Sequence, residues 1–187
     1  MKLRTIIFAL IALSFVASIF AEERPAVMKQ SEVKGSGTYG AETLETLSGF
    51  GLVKLNGTSI TNQLDMKGSL ISQNAEIGTL NVMGEANLTG TTVKNNSLVE
   101  GSLQAVRSKF LGNVILSSQK AVFTATQLDS ITVKKDMGFK GKQIIELKQG
   151  SIINGSVHFE SGKGEVILFP GCQVLGPVTG GKVIKKS

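Results

Sequence analysis

Several residue types are scarce or missing. The 187 residues include no tryptophan and only one tyrosine, one histidine, one cysteine and three prolines. A single cysteine, Cys172, excludes a framework of internal disulfides, so burial and backbone hydrogen bonds have to hold the fold. A single histidine, His158, cannot form a zinc site by itself. No basic cluster combined with aromatic stacking residues occurs, which argues against a nucleic-acid partner.

The first 21 residues have the layout of a secretory signal peptide. Lys2 and Arg4 give a positive start, residues 6–16 are apolar apart from Ser14, and Ala21 is a small residue suited to cleavage. We therefore expect an exported protein, located in the periplasm or at the cell surface. The alternative is an uncleaved membrane anchor, although the apolar run is short for the ~20 residues of a span.

The net charge is modest. It is +6 for the whole chain, and removal of Lys2 and Arg4 with the signal peptide would leave +4. The densest basic stretches are Lys134-Lys135 and the tail, with Lys182, Lys185 and Lys186. This pattern predicts a solvated surface, and contact with an acidic glycan or an anionic membrane stays open as the alternative.

A short phrase recurs along the chain. Leu64-Asp65-Met66-Lys67-Gly68-Ser69-Leu70 is followed 16 residues later by Leu80-Asn81-Val82-Met83-Gly84-Glu85-Ala86. Residues 145–157 reappear in similar form 21 residues later as residues 166–178. Alternation of apolar and polar residues predicts short, half-buried strands, and a fixed period predicts stacked repeats. The sequence therefore predicts an all-β, single-stranded parallel β-helix with coils of about 16–21 residues. An antiparallel sandwich or barrel is the rival, but it would not require the phrase to recur in register.

The repeat separates corner residues from core residues. Glycine is suited to tight corners because it adopts positive φ without steric cost. We expect corners at Gly68, Gly84, Gly101, Gly150, Gly155, Gly171 and Gly176. The apolar positions between them should stack inside the coil: Leu64, Leu80, Val82, Leu147, Val166 and Leu168.

Composition changes along the chain predict four segments. Residues 1–21 are the signal peptide, residues 22–50 a flexible leader, residues 51–180 the β-helix and residues 181–187 a basic tail. The leader is rich in Ser, Gly, Glu and Lys, and Gly35-Ser36-Gly37 is typical of a flexible linker. Within it, residues 41–47 could form a short helix that caps the fold.

Short apolar strands separated by glycine, such as Ile152-Ile153-Asn154-Gly155-Ser156-Val157, resemble those of the bactofilin-like, polymer-forming β-helix proteins of bacteria. The resemblance covers roughly residues 51–180 and has no diagnostic motif. It implies a right-handed parallel β-helix with flexible tails that polymerises end to end without nucleotide. The signal peptide departs from the family, which works in the cytoplasm.

Residues that could carry chemistry are dispersed. Asp65, Asp129 and Asp136 fall in different coils and share no spacing, whereas polysaccharide-active enzymes need grouped acids or a metal. His158 should face solvent, because its neighbours Val157 and Phe159 alternate with it. Cys172 lies in a Pro-Gly turn signal and takes the place of Ser151 in the 21-residue repeat, which predicts a small turn or inward-facing residue. The alternative is a thiol that is reactive or forms an intermolecular disulfide.

No catalytic, cofactor-binding or metal-binding residue is predicted. The sequence indicates an exported, non-enzymatic structural or interaction protein of the cell envelope, which self-associates into oligomers or filaments through the ends of the β-helix. The alternatives are a secreted carbohydrate-binding adhesin and, less favoured, a polysaccharide-active enzyme.

Overall fold

A computed structural model describes residues 28–135 and 138–187. In these residues the secondary structure is all β, with no helix, and every paired strand is parallel to its neighbour. The chain forms a β-solenoid of about nine turns, which confirms the predicted parallel β-helix. The strands are β1 (Met28–Tyr39), β2 (Thr43–Asn56), β3 (Ser59–Gln73), β4 (Glu76–Thr89), β5 (Thr92–Val93), β6 (Ser97–Val106), β7 (Lys109–Ser117), β8 (Lys120–Thr124), β9 (Gln127–Val133), β10 (Gln143–Lys148), β11 (Ile152–Ile153), β12 (Val157–Phe159), β13 (Gly164–Leu168), β14 (Gln173–Val174), β15 (Val178–Thr179) and β16 (Gly181–Lys185).

Each full coil carries three runs of paired backbone, which we call faces 1, 2 and 3 in chain order. In the coil that contains β3 they are residues 59–60, 63–67 and 69–73, and each run pairs with its equivalent in β4. The same three runs recur near the C-terminus as β14, β15 and β16, which pair with β11, β12 and β13. Side chains that point inward from the three faces share one core.

Coil length drifts along the solenoid. Gly35 pairs with Gly51 and Gly51 with Gly68, steps of 16 and 17 residues. Ile145 pairs with Val166, a step of 21. One coil exceeds the predicted range: Ile131 pairs with Val157, a step of 26, because residues 134–142 are inserted between β9 and β10.

Gln143 closes the base of this insertion. Its side chain is buried, and its amide nitrogen donates hydrogen bonds to the carbonyls of Lys134 at 2.7 Å and Ser118 at 3.2 Å. The stack continues past the insertion, because β10 pairs with β8 on one side and with β13 on the other.

The core is a column of aliphatic side chains with three large rings. Phe110, Phe123 and Phe159 are fully buried, and the rings of Phe110 and Phe123 meet edge to face with centroids 6.1 Å apart. Burial of one such side chain is worth roughly 1.5–3 kcal/mol. All the predicted core residues are buried: Leu64, Leu80, Val82, Leu147, Val166 and Leu168.

All seven predicted corner glycines lie at corners, but for two different reasons. Between faces 2 and 3, glycines of successive coils stack in register with φ from +94° to +137°: Gly35, Gly51, Gly68, Gly84 and Gly101. From Gly51 onward, a Cβ on any of them would meet the backbone of the glycine in the previous coil, whereas a Cβ on Gly35 would meet nothing within 4 Å. Gly150 and Gly171 also have positive φ, at the corner between faces 3 and 1. Gly155 and Gly176, between faces 1 and 2, do not, and a Cβ there would clash with the coil below.

A buried row of hydroxyls, which we call the hydroxyl ladder, runs beside the corner between faces 3 and 1. The Oγ1 atom of Thr126 donates to the carbonyl of Thr124 at 2.9 Å and accepts the backbone N–H of Ser108 at 3.4 Å. The next hydroxyl, Ser151, accepts the N–H of Thr126 at 3.1 Å. Small hydroxyls thus satisfy buried backbone groups where the chain turns. The ladder comprises Thr58, Thr91, Ser108, Thr126 and Ser151.

Two of the predicted segment boundaries are wrong. In the described part of the predicted leader, residues 28–50, the flexible segment and the helix at residues 41–47 are replaced by β1 and the start of β2. These two strands pair in register over eleven positions from Met28–Leu44 to Tyr39–Leu55. The basic tail begins with β16, which pairs with β13. Polar residues in these segments face solvent from strands of the end coils, so they resemble linker sequence. The predicted signal peptide, residues 1–21, lies outside the described residues.

Candidate functional site

The two ends of the described solenoid differ in chemistry. At the N-terminal end, the hydroxyls of Ser31 and Tyr39 lie 2.7 Å apart, and Ser31 and Tyr39 are half-buried. Val33 lies between them in sequence and is buried. The exposed side chains of β1 include the ion pair Glu32–Lys34. Charged residues on an edge strand oppose pairing with a further strand.

The C-terminal end leaves apolar side chains accessible. Val183 pairs in register with Val166, yet Val183 is 41% exposed and Val166 is 0% exposed. The reason is that no described coil follows β16. Val174, Val178 and Cys172 pack on the core and remain half-buried, and Leu175 beside them is largely exposed. We call this surface the C-terminal end, defined by Cys172, Val174, Leu175, Val178 and Val183.

The same end has unpaired strand edges. In the part of the chain that the structure describes, β14, β15 and β16 each pair with a strand of the preceding coil and with none beyond. A row of backbone donors and acceptors next to exposed valines is a template for pairing with another strand. The C-terminal end therefore offers a partner both backbone hydrogen-bonding groups and apolar side chains.

A shallow groove lies on face 2 near the N-terminus, with a volume of about 560 Å³. Phe50 and Met83 are 67% and 52% exposed there, and they alternate with Lys34, Lys67 and Glu100 along one outward row. The groove thus combines apolar surface with charges of both signs.

The row beside Phe50 carries a small polar network. The side-chain amide of Gln63 donates to Asp65 Oδ2 at 2.7 Å, and that of Asn81 donates to Asp65 Oδ1 at 2.8 Å. The carboxylate of Asp65 is therefore held by neighbours from its own coil and the next one.

The residues considered for chemistry do not converge. Asp65 lies in β3 and Asp129 in β9, several coils apart, and Asp136 is outside the described residues. Among residues 28–135 and 138–187, no group of three or more His, Cys, Asp or Glu could hold a metal ion. The solvent-facing orientation predicted for His158 is confirmed, and its Nδ1 lies 2.7 Å from the hydroxyl of Thr179.

Cys172 behaves as a structural residue of the last coil. It is a free thiol that follows a turn, and it packs against the core. Because Ile152 pairs with Gln173, Cys172 stands in the last coil where Ser151 of the hydroxyl ladder stands in the coil before it. This confirms the prediction of a small, inward-facing turn residue. A reactive or intermolecular role for the thiol stays a prediction.

Two glutamates on face 3 are held by lysines of neighbouring coils. Burial raises the pKa of Glu146, but contacts with Lys120 at 2.7 Å and Lys148 at 2.9 Å outweigh it and keep the pKa below the ordinary value. A hydrogen bond from Lys142 is the largest cause of the lowered pKa of Glu165, and Lys182 adds to it. Both carboxylates are therefore charged at neutral pH.

The fold defines the class of the protein: it is a parallel β-solenoid. Comparison of the chain with protein-family models, curated proteins and solved structures finds no match. No helix within the described ranges is long and apolar enough to cross a membrane.

Proposed function

We propose that this protein is an exported, non-enzymatic structural or interaction protein of the cell envelope, and that it self-associates through the C-terminal end. The observation that carries the proposal is the open end itself, with Val183 exposed at a core position. Export is supported by the sequence of residues 1–21 alone.

The occupant we infer for the C-terminal end is the same end of a second copy. The N-terminal end offers a polar closure and the charged pair Glu32–Lys34, which match an apolar surface poorly. Two C-terminal ends related by a two-fold axis would instead place apolar side chains against identical ones, the self-complementary arrangement common in homodimers. The edge of β16 could then pair with its copy.

Sedimentation velocity over a concentration series tests this pairing. The protein without residues 1–21 should form a dimer that dissociates on dilution, and Val183→Glu should abolish it by burying a charge in the interface. Leu111→Glu is the matched control, because Leu111 is 61% exposed on the side of the coil. A wild-type protein that stays monomeric at high concentration, or a Val183→Glu dimer as tight as wild type, would refute the pairing.

A carbohydrate-binding role is the second candidate, and the face 2 groove favours it. Phe50 offers a ring to an apolar sugar face, and Asp65, fixed by two amides, offers acceptors to sugar hydroxyls. A glycan array with Phe50→Ala and Leu111→Ala would test it: binding lost only in Phe50→Ala supports the candidate, and no glycan binding removes it. Assay on uronate polymers tests the third possibility, an enzyme.

A further inference from the structure

Positive charge is concentrated in the last third of the chain. Residues 134–187 contain nine lysines against four acidic residues, a net charge of +5, whereas residues 1–133 carry only +1. The excess of the whole protein therefore belongs to the last coils and the insertion before β10.

Three of these lysines line one pocket at the corner between faces 2 and 3. Its volume is about 560 Å³, and its lining includes Lys142, Lys163, Lys182 and Glu165 together with four glycines. The register explains the convergence. Glu165 of β13 pairs with Lys182 of β16, while Lys142 and Lys163 immediately precede the paired residues at the starts of β10 and β13. Lysines 19 to 21 residues apart in sequence thus become neighbours.

The pocket holds more positive charge than its own carboxylate neutralises. Glu165 accepts contacts from Lys142 at 2.7 Å and Lys182 at 3.5 Å, and its side chain is only 11% exposed, while both lysine side chains are more than 60% exposed. Lys163 is exposed and has no ion pair in the described part of the chain. Three ammonium groups against one carboxylate leave +2. The negative charge of Glu165 balances the charge of one lysine, so the other two positive charges of the pocket are not explained by Glu165.

Glycine keeps the wall of the pocket open. Gly162 and Gly180 have positive φ, and a Cβ on Gly180 would collide with the backbone of Phe159. A Cβ on Gly181 would approach the carbonyl of Gly164. Packing requires glycine at positions 180 and 181, and the result is a wall without side chains beside the three lysines. The amides of Gly162 and Gly164 in this wall already donate to the carbonyls of Phe159 and Gly180.

We propose that this pocket binds a phosphate monoester group. A phosphate monoester carries a charge of about −1.5 to −2 near neutral pH, which matches the excess of +2. Lysine binds phosphate as a point charge, and three lysines around one shallow pocket can contact the same group. This inference rests on the lysine pocket and not on the exposed Val183, but Gly180, Gly181 and Lys182 belong to the same last coil as the C-terminal end.

Titration of isotope-labelled protein with inorganic phosphate tests the proposal. Backbone amide resonances of Gly162, Gly164, Gly180 and Gly181 should shift saturably at constant ionic strength, set with sodium chloride. Lys163→Gln should weaken binding about three- to tenfold, because it removes one of the three charges. Lys94→Gln is the matched control, since Lys94 is an exposed lysine paired with Glu76 on another coil, and it should bind like wild type.

Glu165→Gln separates a binding site from a purely structural charge cluster. The change removes the carboxylate that competes with phosphate for Lys142 and Lys182. The affinity for phosphate should therefore rise by roughly the same factor by which Lys163→Gln lowers it. Binding of phosphatidic-acid vesicles or of a sugar phosphate, compared with inorganic phosphate, identifies the source of the group. Absence of saturable shifts, or equal binding by Lys163→Gln and Lys94→Gln, overturns the proposal. The titration is repeated in Val183→Glu, which should be monomeric, so that shifts caused by a change of oligomeric state are recognised.

Discussion

At the scale of single residues, several corners of this solenoid require glycine, for reasons that differ from place to place. Gly84 sits between Gly68 and Gly101 with φ of +137°, and its missing Cβ leaves room for the backbone of Gly68. Backbone strain and steric clash therefore coincide at this position.

We expect Gly84→Ala to lower the free energy of unfolding by more than about 2 kcal/mol, since strain and clash add. Chemical denaturation measures the change. Gly40→Ala is the control, because a Cβ at Gly40 would meet nothing within 4 Å and Gly40 has no positive φ. Equal stability of the two variants would contradict the stacked-glycine corner.

Gly155 tests the second kind of corner, where φ is ordinary and only space is lacking. A Cβ there would meet the hydroxyl of Ser130 and the carbonyl of Asp129. Gly155→Val should therefore destabilise the protein by well over the ~0.5 kcal/mol typical of surface changes. A melting temperature equal to that of wild type would show that the coil can spread at this corner.

The hydroxyl ladder makes a further prediction at residue scale. Thr126→Val leaves the buried N–H of Ser108 without its acceptor and should cost about 1–3 kcal/mol. Thr124→Val is the control, because Thr124 is half-buried and lies outside the ladder. Denaturation curves that coincide for the two variants would remove the ladder from the account of stability.

At the scale of strands, lysine–glutamate pairs join β8, β10, β13 and β16 across face 3. The pKa of Glu146 is lowered below the ordinary value of 4.5 by Lys120 and Lys148 despite the opposing effect of burial. A carboxyl group with a lowered pKa in the folded state stabilises the protein above its ordinary pKa. That contribution is lost as the pH falls through the folded value.

Glu146→Gln should therefore reduce the melting temperature at pH 7. Its effect should shrink as the pH falls from the ordinary pKa of 4.5 through the lowered pKa of the folded carboxyl, below which the wild-type carboxyl is protonated as well. Thermal unfolding at pH 7, 5 and 3 measures this. Glu85→Gln is the control, because Glu85 is exposed and contacts only an asparagine amide. A Glu146→Gln deficit that stays constant with pH would contradict the pairing.

The strands show what the sequence could and could not predict. Alternating phrases around Leu64, Leu80 and Val166 identify strands in full coils, because both the inward residue and the corner glycine repeat there. β1 escaped prediction because an end strand needs few buried side chains, and Val33 is its buried hydrophobic residue. The hydroxyl ladder left a readable signal, a serine or threonine directly after five of the corners between faces 3 and 1, with Ala75 and Cys172 at the equivalent position of two other coils. The lysine pocket left none, because register alone brings Lys142, Lys163 and Lys182 together.

At the scale of the whole molecule, nine stacked coils at about 4.8 Å per step give a rod about 40 Å long, with polar and apolar ends. Aliphatic side chains and three rings fill the interior of the described coils. Within residues 28–135 and 138–187, the surfaces on which the proposals rest are the C-terminal end, the face 2 groove and the lysine pocket.

The central claim is that two C-terminal ends meet, and a distance between spin labels tests it most directly. The spin label is attached to Gln173→Cys, an exposed position in the last coil. The native thiol is removed by Cys172→Ser, because serine occupies the equivalent position, Ser151, in the coil before it. End-to-end pairing of identical C-termini predicts a label separation below about 35 Å, set by the width of one coil. Val183→Glu should remove this separation. A head-to-tail stack would instead give about 40–45 Å, the length of the rod, and the absence of any defined separation would contradict self-association altogether.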